Sequence, residues 1–90
     1  MLKIRPYTFT SVDRDKLYED IACSIYAIRH QKKITMAELS RRTDLDLRTL
    51  YKIESEKKCI SLTNLIKIAF GLGCSLDDLI NIKGVVYHED

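Results

Sequence analysis

The fold of this chain follows most directly from residues 35–54, which read TMAELSRRTDLDLRTLYKIE. Thr35 and Glu38 make a T-x-x-E capping box, in which hydroxyl and carboxylate satisfy end amides reciprocally, so a helix is predicted to run to about Thr43. Residues 44–46 form a short break, because aspartate tolerates the left-handed backbone of a tight turn. Asp46 can then cap a further helix over about 47–54. Two short helices joined by a three-residue turn are expected.

Helical periodicity continues on both sides of this stretch. Before it, four aliphatic residues share one helix stripe at spacing i, i+4, i+8 and i+11: Leu17, Ile21, Ile25 and Ile28. After it, a fourth helix is expected from near Ser61 until Gly73, which is placed to end it. Ser75 and Asp78 make an S-x-x-D box for a short fifth helix that contributes Leu76, Leu79 and Ile80. The predicted fold is all-α, a compact five-helix bundle.

The two ends of the chain have a different pattern. Residues Leu2–Phe9 and Val85–Tyr87 are rich in β-branched and aromatic side chains, so either can form a short strand. The expected organisation is an N-terminal arm over residues 1–12, a helical domain over 13–82 and a C-terminal tail over 83–90.

Composition excludes several classes of protein. The 90 residues, 46% of them hydrophobic, suit one globular domain with no membrane span or secretion signal, so a cytoplasmic location is expected. Cys23, Cys59 and Cys74 show no metal-ligand spacing, and free thiols are favoured over a zinc or redox site. His30 and His88 stand alone, and there is no glycine-rich phosphate loop. We therefore expect no enzyme, metal, cofactor or small-molecule ligand.

Two short helices with a three-residue break are the helix-turn-helix pattern, and the chain resembles one family closely. Residues 28–79 are similar to the lambda-repressor/Cro-like, or xenobiotic-response-element type, helix-turn-helix family. The resemblance rests on the runs TMAELS (35–40), TLYKIE (49–54), LIKIA (65–69) and LGCSLDDL (72–79). It implies a DNA-binding domain whose third helix enters the major groove.

The third helix can be divided into faces without the family. At 100° per residue, Leu50 and Ile53 share one side, and Arg48 and Lys52 point away from it. Arg48 can donate two bonds to guanine, and Lys52 can reach a guanine or a phosphate. Leu47 can offer apolar contact, such as to a thymine methyl, and Tyr51 can meet a methyl or a phosphate. These four are the candidate base-reading residues. The alternative is a solvated charged face, which any surface helix shows.

Backbone contacts are expected from polar and basic residues around this helix, each of which can also be simply solvated. The candidates are Lys32, Lys33, Thr35, Arg41, Arg42, Thr49, Lys57 and Lys58. Residues 29–58, which contain all of them, carry nine basic and five acidic residues, whereas residues 59–90 carry two basic and four acidic. The near-neutral net charge of +2 therefore conceals a basic central segment.

The resemblance also assigns structural roles and shows departures. Arg29 and Glu54 match a pair that forms a partly buried salt bridge in this family. Met36 stands where the family usually has a glutamine that contacts DNA, so Met36 is excluded as a polar contact. Acidic residues replace usual turn glycines at Asp44 and Glu56.

The leading hypothesis is a sequence-specific transcriptional regulator, of repressor type, that binds a palindromic operator on double-stranded DNA as a homodimer. The fifth helix, with Ile80 and Ile82, and the terminal segments are candidate dimer contacts. The rival hypothesis is an antitoxin or another protein-interaction module on the same fold, because Met36, Leu47 and Tyr51 on an exposed face would suit a protein partner. Operator sequence, regulated genes and the sign of regulation do not follow from the residues.

Overall fold

The computed structural model describes residues 9–57, 59–80 and 86–88; of residues 9–12 and 86–88 it describes the backbone. The described residues form five helices, which confirms the predicted bundle: α1 (Arg14–Gln31), α2 (Met36–Thr43), α3 (Leu47–Glu56), α4 (Leu62–Leu72) and α5 (Leu76–Leu79).

Each helix begins at a side chain that accepts a hydrogen bond from a backbone amide three residues on. These N-caps are Asp13, Thr35, Asp46, Ser61 and Ser75. The capping box at Ser75 and Asp78 is complete. The predicted box of α2 is wrong in one half: Thr35 accepts from the Glu38 amide, but the Glu38 carboxylate binds Arg41 and Arg42 instead of the Thr35 amide. Two guanidinium donors hold this carboxylate on the outer surface of α2.

The core lies where α1 packs on α3, α4 and α5, and α2 packs on α3 and α4. Its fully buried side chains include Ile25, Leu39, Leu50, Ile68 and Leu79. The placement of Met36 on an exposed face is wrong, because its side chain is only 7% exposed and belongs to this core. An apolar thioether at the first position of α2 is more favourable against the other buried side chains than in water.

Gly71 lets α2 and α4 approach each other closely. A Cβ at this position would lie 2.6 Å from Cγ2 of Thr43 and 3.2 Å from Cδ1 of Leu39. Gly73 has a different task, since it ends α4 with a left-handed φ of 69°, as expected from the sequence.

Two helix ends differ from the prediction. α3 continues through Ser55 and Glu56, two residues beyond the predicted end at about 54. Neither residue interrupts a helix, and the left-handed turn comes at Lys57, with φ 54°. α5 ends at Leu79, and Ile80 has extended backbone with φ −123°. Ile80 is therefore not a residue of the fifth helix, and Ile82 lies outside the described residues.

Two short strands, β1 (Phe9–Val12) and β2 (Val86–His88), pair antiparallel within the same chain. Val12 lies opposite Val86, and the register shifts between Phe9 and Ser11. Residues 2–8 and 85, which belong to the predicted strands, lie outside the described residues. No helix in the described part of the chain is both long and apolar enough to span a bilayer.

Candidate nucleic-acid interface

The turn between α2 and α3 is fixed by short-range hydrogen bonds. Asp44 takes the left-handed conformation, with φ 59° and ψ 28°, and its amide donates to the Ser40 carbonyl at 3.0 Å. The Ser40 hydroxyl donates to the Leu45 carbonyl at 2.5 Å, and the Leu45 amide donates to Oγ1 of the buried Thr43. The turn therefore holds α3 in one orientation on α2, with aspartate in the conformation expected from the sequence.

Asp46 fixes the beginning of α3. Its Oδ1 accepts from the Thr49 amide at 2.7 Å. This bond and a weaker one from the Thr49 side chain hold the pKa of the Asp46 carboxyl below its usual value, and the charges of Arg48 and Lys52 lower it slightly further. The cap is thus an anion at neutral pH, at the helix end where the dipole favours negative charge.

The outer face of α3 carries the four predicted base-reading residues. Leu50 and Ile53 face the core at 2% and 8% exposure, whereas Arg48 and Lys52 are exposed, with Leu47 at 41% and Tyr51 at 56%. In the described part of the chain neither Arg48 nor Lys52 forms a salt bridge. Their donors and charges are therefore directed to solvent, as a ligand of opposite charge would require.

The two arginines of α2 have partners inside the protein. Arg41 binds Oε1 of Glu38, and Arg42 Nε donates to Glu38 Oε2 at 3.0 Å. Arg42 also donates from Nη1 to the Gly71 carbonyl at 3.1 Å, near the end of α4. The hydrogen bonds from Arg42 and then Arg41 lower the pKa of the Glu38 carboxyl. Part of the positive charge predicted for backbone contacts is therefore neutralised within α2.

The predicted backbone lysines also differ in their surroundings. Nζ of Lys32 donates to the carbonyls of Leu72 and Gly73 at 2.7 and 3.1 Å, so this lysine caps the end of α4. Lys33 and Lys57 are exposed and both have left-handed backbone. Lys58 lies outside the described residues.

The remaining predicted backbone contacts are threonines. The Thr35 hydroxyl accepts from the Glu38 amide as the cap of α2, which leaves its own hydrogen free for another acceptor. Thr49 is half-buried and lines a cleft of about 370 Å³ together with Lys52 and the start of α4, Ser61 and Asn64. Ser61 and Asn64 could not be placed beside α3 from the sequence, because their proximity depends on how α4 packs.

Arg29 and Glu54 tie α1 to the C-terminal half of α3. Arg29 donates from Nε to Oε2 at 2.9 Å and from Nη2 to Oε1 at 3.2 Å, and both side chains are only 12% and 11% exposed. A further bond runs from Arg29 Nη1 to the Ile34 carbonyl at 3.1 Å. This pairing explains how a charged residue occupies the inner side of α3.

The described residues contain no group of three or more histidine, cysteine or acidic side chains suited to a metal ion. The three cysteines are free thiols, with Cys23 and Cys59 exposed and Cys74 partly buried. Burial and the nearby Asp78 carboxylate raise the pKa of the Cys74 thiol.

Comparison with known proteins agrees with this geometry. The family model described as helix-turn-helix matches residues 25–79. A search of curated protein sequences finds no match. Among solved structures, the hypothetical transcription factor NHTF from Neisseria has a TM-score of 0.69 at 25% identity, covering 83% of this chain and 87% of that one.

Two further structures are similar in fold. The restriction-modification controller protein C.AhdI from Aeromonas hydrophila has a TM-score of 0.66 at 21% identity, covering 70% of this chain and 96% of its own. The clp gene regulator ClgR from C. glutamicum has a TM-score of 0.64 at 24% identity, covering 69% and 80%. With a family model that matches more than half of its length, this chain belongs to the Cro/C1-type helix-turn-helix family of DNA-binding transcriptional regulators.

Proposed function

We propose that the chain is a sequence-specific transcriptional regulator, of repressor type, that inserts α3 into the major groove as a homodimer. The observation that carries this proposal is the division of α3. Leu50 and Ile53 anchor the helix in the core, while Arg48 and Lys52 project outward and form no salt bridge with the described residues. A helix that is held by a fixed turn and displays exposed cations can dock as a rigid unit on a polyanion.

Within this proposal, the outer face of α3 reads bases. The Arg48 guanidinium donates to O6 and N7 of one guanine, and Lys52 donates to a neighbouring guanine or phosphate. Leu47 and Tyr51 supply apolar contact, for example to thymine methyl groups. Asp46, as the anionic cap of α3, repels phosphate and so keeps the helix start off the DNA backbone.

The backbone contacts divide into two groups. Lys33, Lys57 and the hydroxyl of Thr35 are exposed and reach phosphate without losing a bond to the described residues, and Thr49 lies at the edge of the same surface. Lys32, Arg41 and Arg42 already bind groups of the protein, so each has to share or give up such a bond in order to contact a phosphate. Lys58 is proposed as a backbone contact from the sequence alone. The first group should therefore contribute most of the salt dependence.

A dimer follows from the size of the reading surface. One α3 presents four candidate base-reading residues, too few for high specificity, so two copies on half-sites about 10 base pairs apart are expected. We further propose that the protein is not an enzyme and acts in a reducing cytoplasm, consistent with its free thiols.

The rival proposal, an antitoxin or protein-interaction module, loses one of its three supports because Met36 is buried. Leu47 and Tyr51 remain exposed and suit either a thymine methyl or an apolar protein surface. Salt dependence separates the two, because an apolar protein contact is nearly insensitive to salt over a range in which phosphate contacts weaken strongly.

Selection of bound DNA from a random pool tests the proposal. We expect enrichment of a palindrome whose half-sites contain at least one conserved guanine and lie about one helical turn apart. Recovery of unenriched DNA after repeated rounds at moderate salt would contradict sequence-specific binding.

A further inference from the structure

Part of the outer surface of α4 is apolar where a surface helix is normally polar. Its eleven residues, LTNLIKIAFGL, include one charge, Lys67. At 100° per residue from Leu65, the buried Leu65, Ile68, Ala69 and Leu72 lie between about 300° and 40°. Ile66 and Phe70 lie at about 100° and 140°, on the other side of the helix. The polar residues Thr63, Lys67 and Asn64 lie between about 160° and 260° and form the solvent face of α4. Ile66 and Phe70 are therefore apolar side chains left between the core and this polar face.

Three large side chains at i, i+4 and i+8 form this outer surface, here named the α4 stripe: Leu62, Ile66 and Phe70. They are 65%, 49% and 84% exposed, and Phe70 is the most exposed of the large apolar residues described. Together they leave roughly 350 Å² of apolar surface in water, which is as much as the largest patch of a typical monomer. The stripe would supply nearly half of the roughly 800 Å² that each partner buries in a specific interface.

We propose that the α4 stripe is the face through which two copies of this chain associate about a two-fold axis. With the axis beside Ile66, the two α4 helices run antiparallel, and Phe70 of one copy lies against Leu62 of the other, so the stripe is complementary to itself. Lys67 lies about 100° round from Ile66, at the rim of this contact, where charged residues of an interface normally lie.

A second copy is the occupant that the rest of the molecule favours. The shallow groove beside Phe70 is lined by Arg42, Thr43, Ile66 and Lys67 and by none of the four base-reading residues, so association there leaves α3 free. One edge of β1 is meanwhile paired with β2 of the same chain, so these two edges do not pair between copies. This inference rests on the proposed function, which needs two reading helices, and it moves the dimer contact from α5 and the termini to α4.

Sedimentation equilibrium of the full chain without DNA tests the interface. We expect the average molar mass of the wild type to rise with concentration from that of one chain to that of two. Phe70→Ser should raise the dissociation constant of the dimer at least 10-fold. The matched control, Tyr26→Ser, removes another exposed aromatic side chain, on α1, and should change it less than about threefold. A wild-type chain that stays monomeric at about 200 µM, or equal effects of the two variants, would overturn the proposal.

Cross-linking covers the case in which Phe70→Ser fails to fold. In a chain with Cys23→Ser and Cys59→Ser, Ile66→Cys should give a covalent dimer under mild oxidation, because the axis brings the two thiols together. Tyr26→Cys in the same background should give no covalent dimer. Absence of a covalent dimer with Ile66→Cys, or equal cross-linking of both variants, would overturn the proposal.

Binding to a single half-site separates this inference from the proposed function. Monomeric Phe70→Ser should bind one half-site within about threefold of the wild-type protomer, since its α3 is unchanged. If neither the wild type nor Phe70→Ser binds the half-site, the proposed DNA reading is contradicted. The α4 interface is then tested by the sedimentation masses.

Discussion

Arg48 and Arg42 carry the same guanidinium group, but their surroundings in the fold differ and so do their interactions. Arg42 is bonded to Glu38 and to the Gly71 carbonyl, so it joins α2 to the end of α4. Arg48 is exposed, and the described residues offer it no salt bridge. The sequence predicted both as DNA contacts because spacing shows which way a side chain points but not which partners the folded chain brings to it.

Arg48→Ala should reduce affinity for the selected site by about 1–3 kcal/mol and relax the preference at one base position, because a bidentate contact to guanine is lost. Fluorescence anisotropy on the selected site and its single-base variants measures both effects. Arg14→Ala, an exposed arginine at the start of α1, is the matched control and should leave affinity unchanged. Equal losses on every DNA sequence would reduce Arg48 to a phosphate contact.

Glu54→Ala should destabilise the fold by about 3 kcal/mol, because it leaves the Arg29 charge nearly buried and without its carboxylate. Urea unfolding followed by circular dichroism measures the loss. The double variant Arg29→Met, Glu54→Leu removes both charges and should recover most of the stability. If the double variant is as unstable as Glu54→Ala, the cost comes from lost packing and not from an unpaired charge.

At the scale of elements, local signals in the sequence located the helices well. Capping residues predicted the starts of α2, α3 and α5, and Gly73 the end of α4. Helix ends without such a residue were less certain, as the extension of α3 to Glu56 shows. Tertiary features escaped prediction altogether: the close approach at Gly71 and the lysine cap of α4 depend on residues 28 or more positions apart.

Gly71→Ala should destabilise the protein by about 1–3 kcal/mol, since the new methyl group meets Cγ2 of Thr43 at 2.6 Å and α2 must move away from α4. Chemical denaturation measures the change. Adding Thr43→Ser removes that Cγ2 atom but keeps the hydroxyl that donates to the Leu39 carbonyl, so it should restore part of the loss. A double variant less stable than the sum of the single changes would contradict this steric explanation.

The cap of α3 makes a prediction about pH. The Asp46 pKa is lowered in the folded state, so the carboxylate stabilises the fold above its unfolded pKa, near 4, and this contribution is lost as pH falls through the lower folded value. The difference in melting temperature between wild type and Asp46→Ala should therefore shrink as pH falls from about 5 to about 2. An unchanged difference across that range would show that the capping anion is not responsible.

For the whole molecule, the sequence predicted where the basic residues cluster but not which of them form salt bridges within the protein. The basic segment over residues 29–58 is visible in the sequence, while the structure shows that Glu38 and Glu54 neutralise part of it internally. Among the described residues of this segment, Arg48 and Lys52 on α3 and Lys33 and Lys57 beside it are exposed and form no salt bridge. The same holds for apolar residues: the sequence shows that α4 is apolar, but only the packing shows that Phe70 lies outside.

The most direct test of DNA reading by α3 is the affinity of the wild-type protein for its selected site, and for a scrambled duplex of equal composition, as a function of salt. Sequence-specific binding predicts a preference of at least about 10³-fold for the selected site at physiological salt. It also predicts a slope of log affinity against log salt steeper than about −4, as several phosphate contacts from two protomers require. Equal affinity for the two duplexes, with a slope near zero, would contradict the claim that this face of α3 reads DNA.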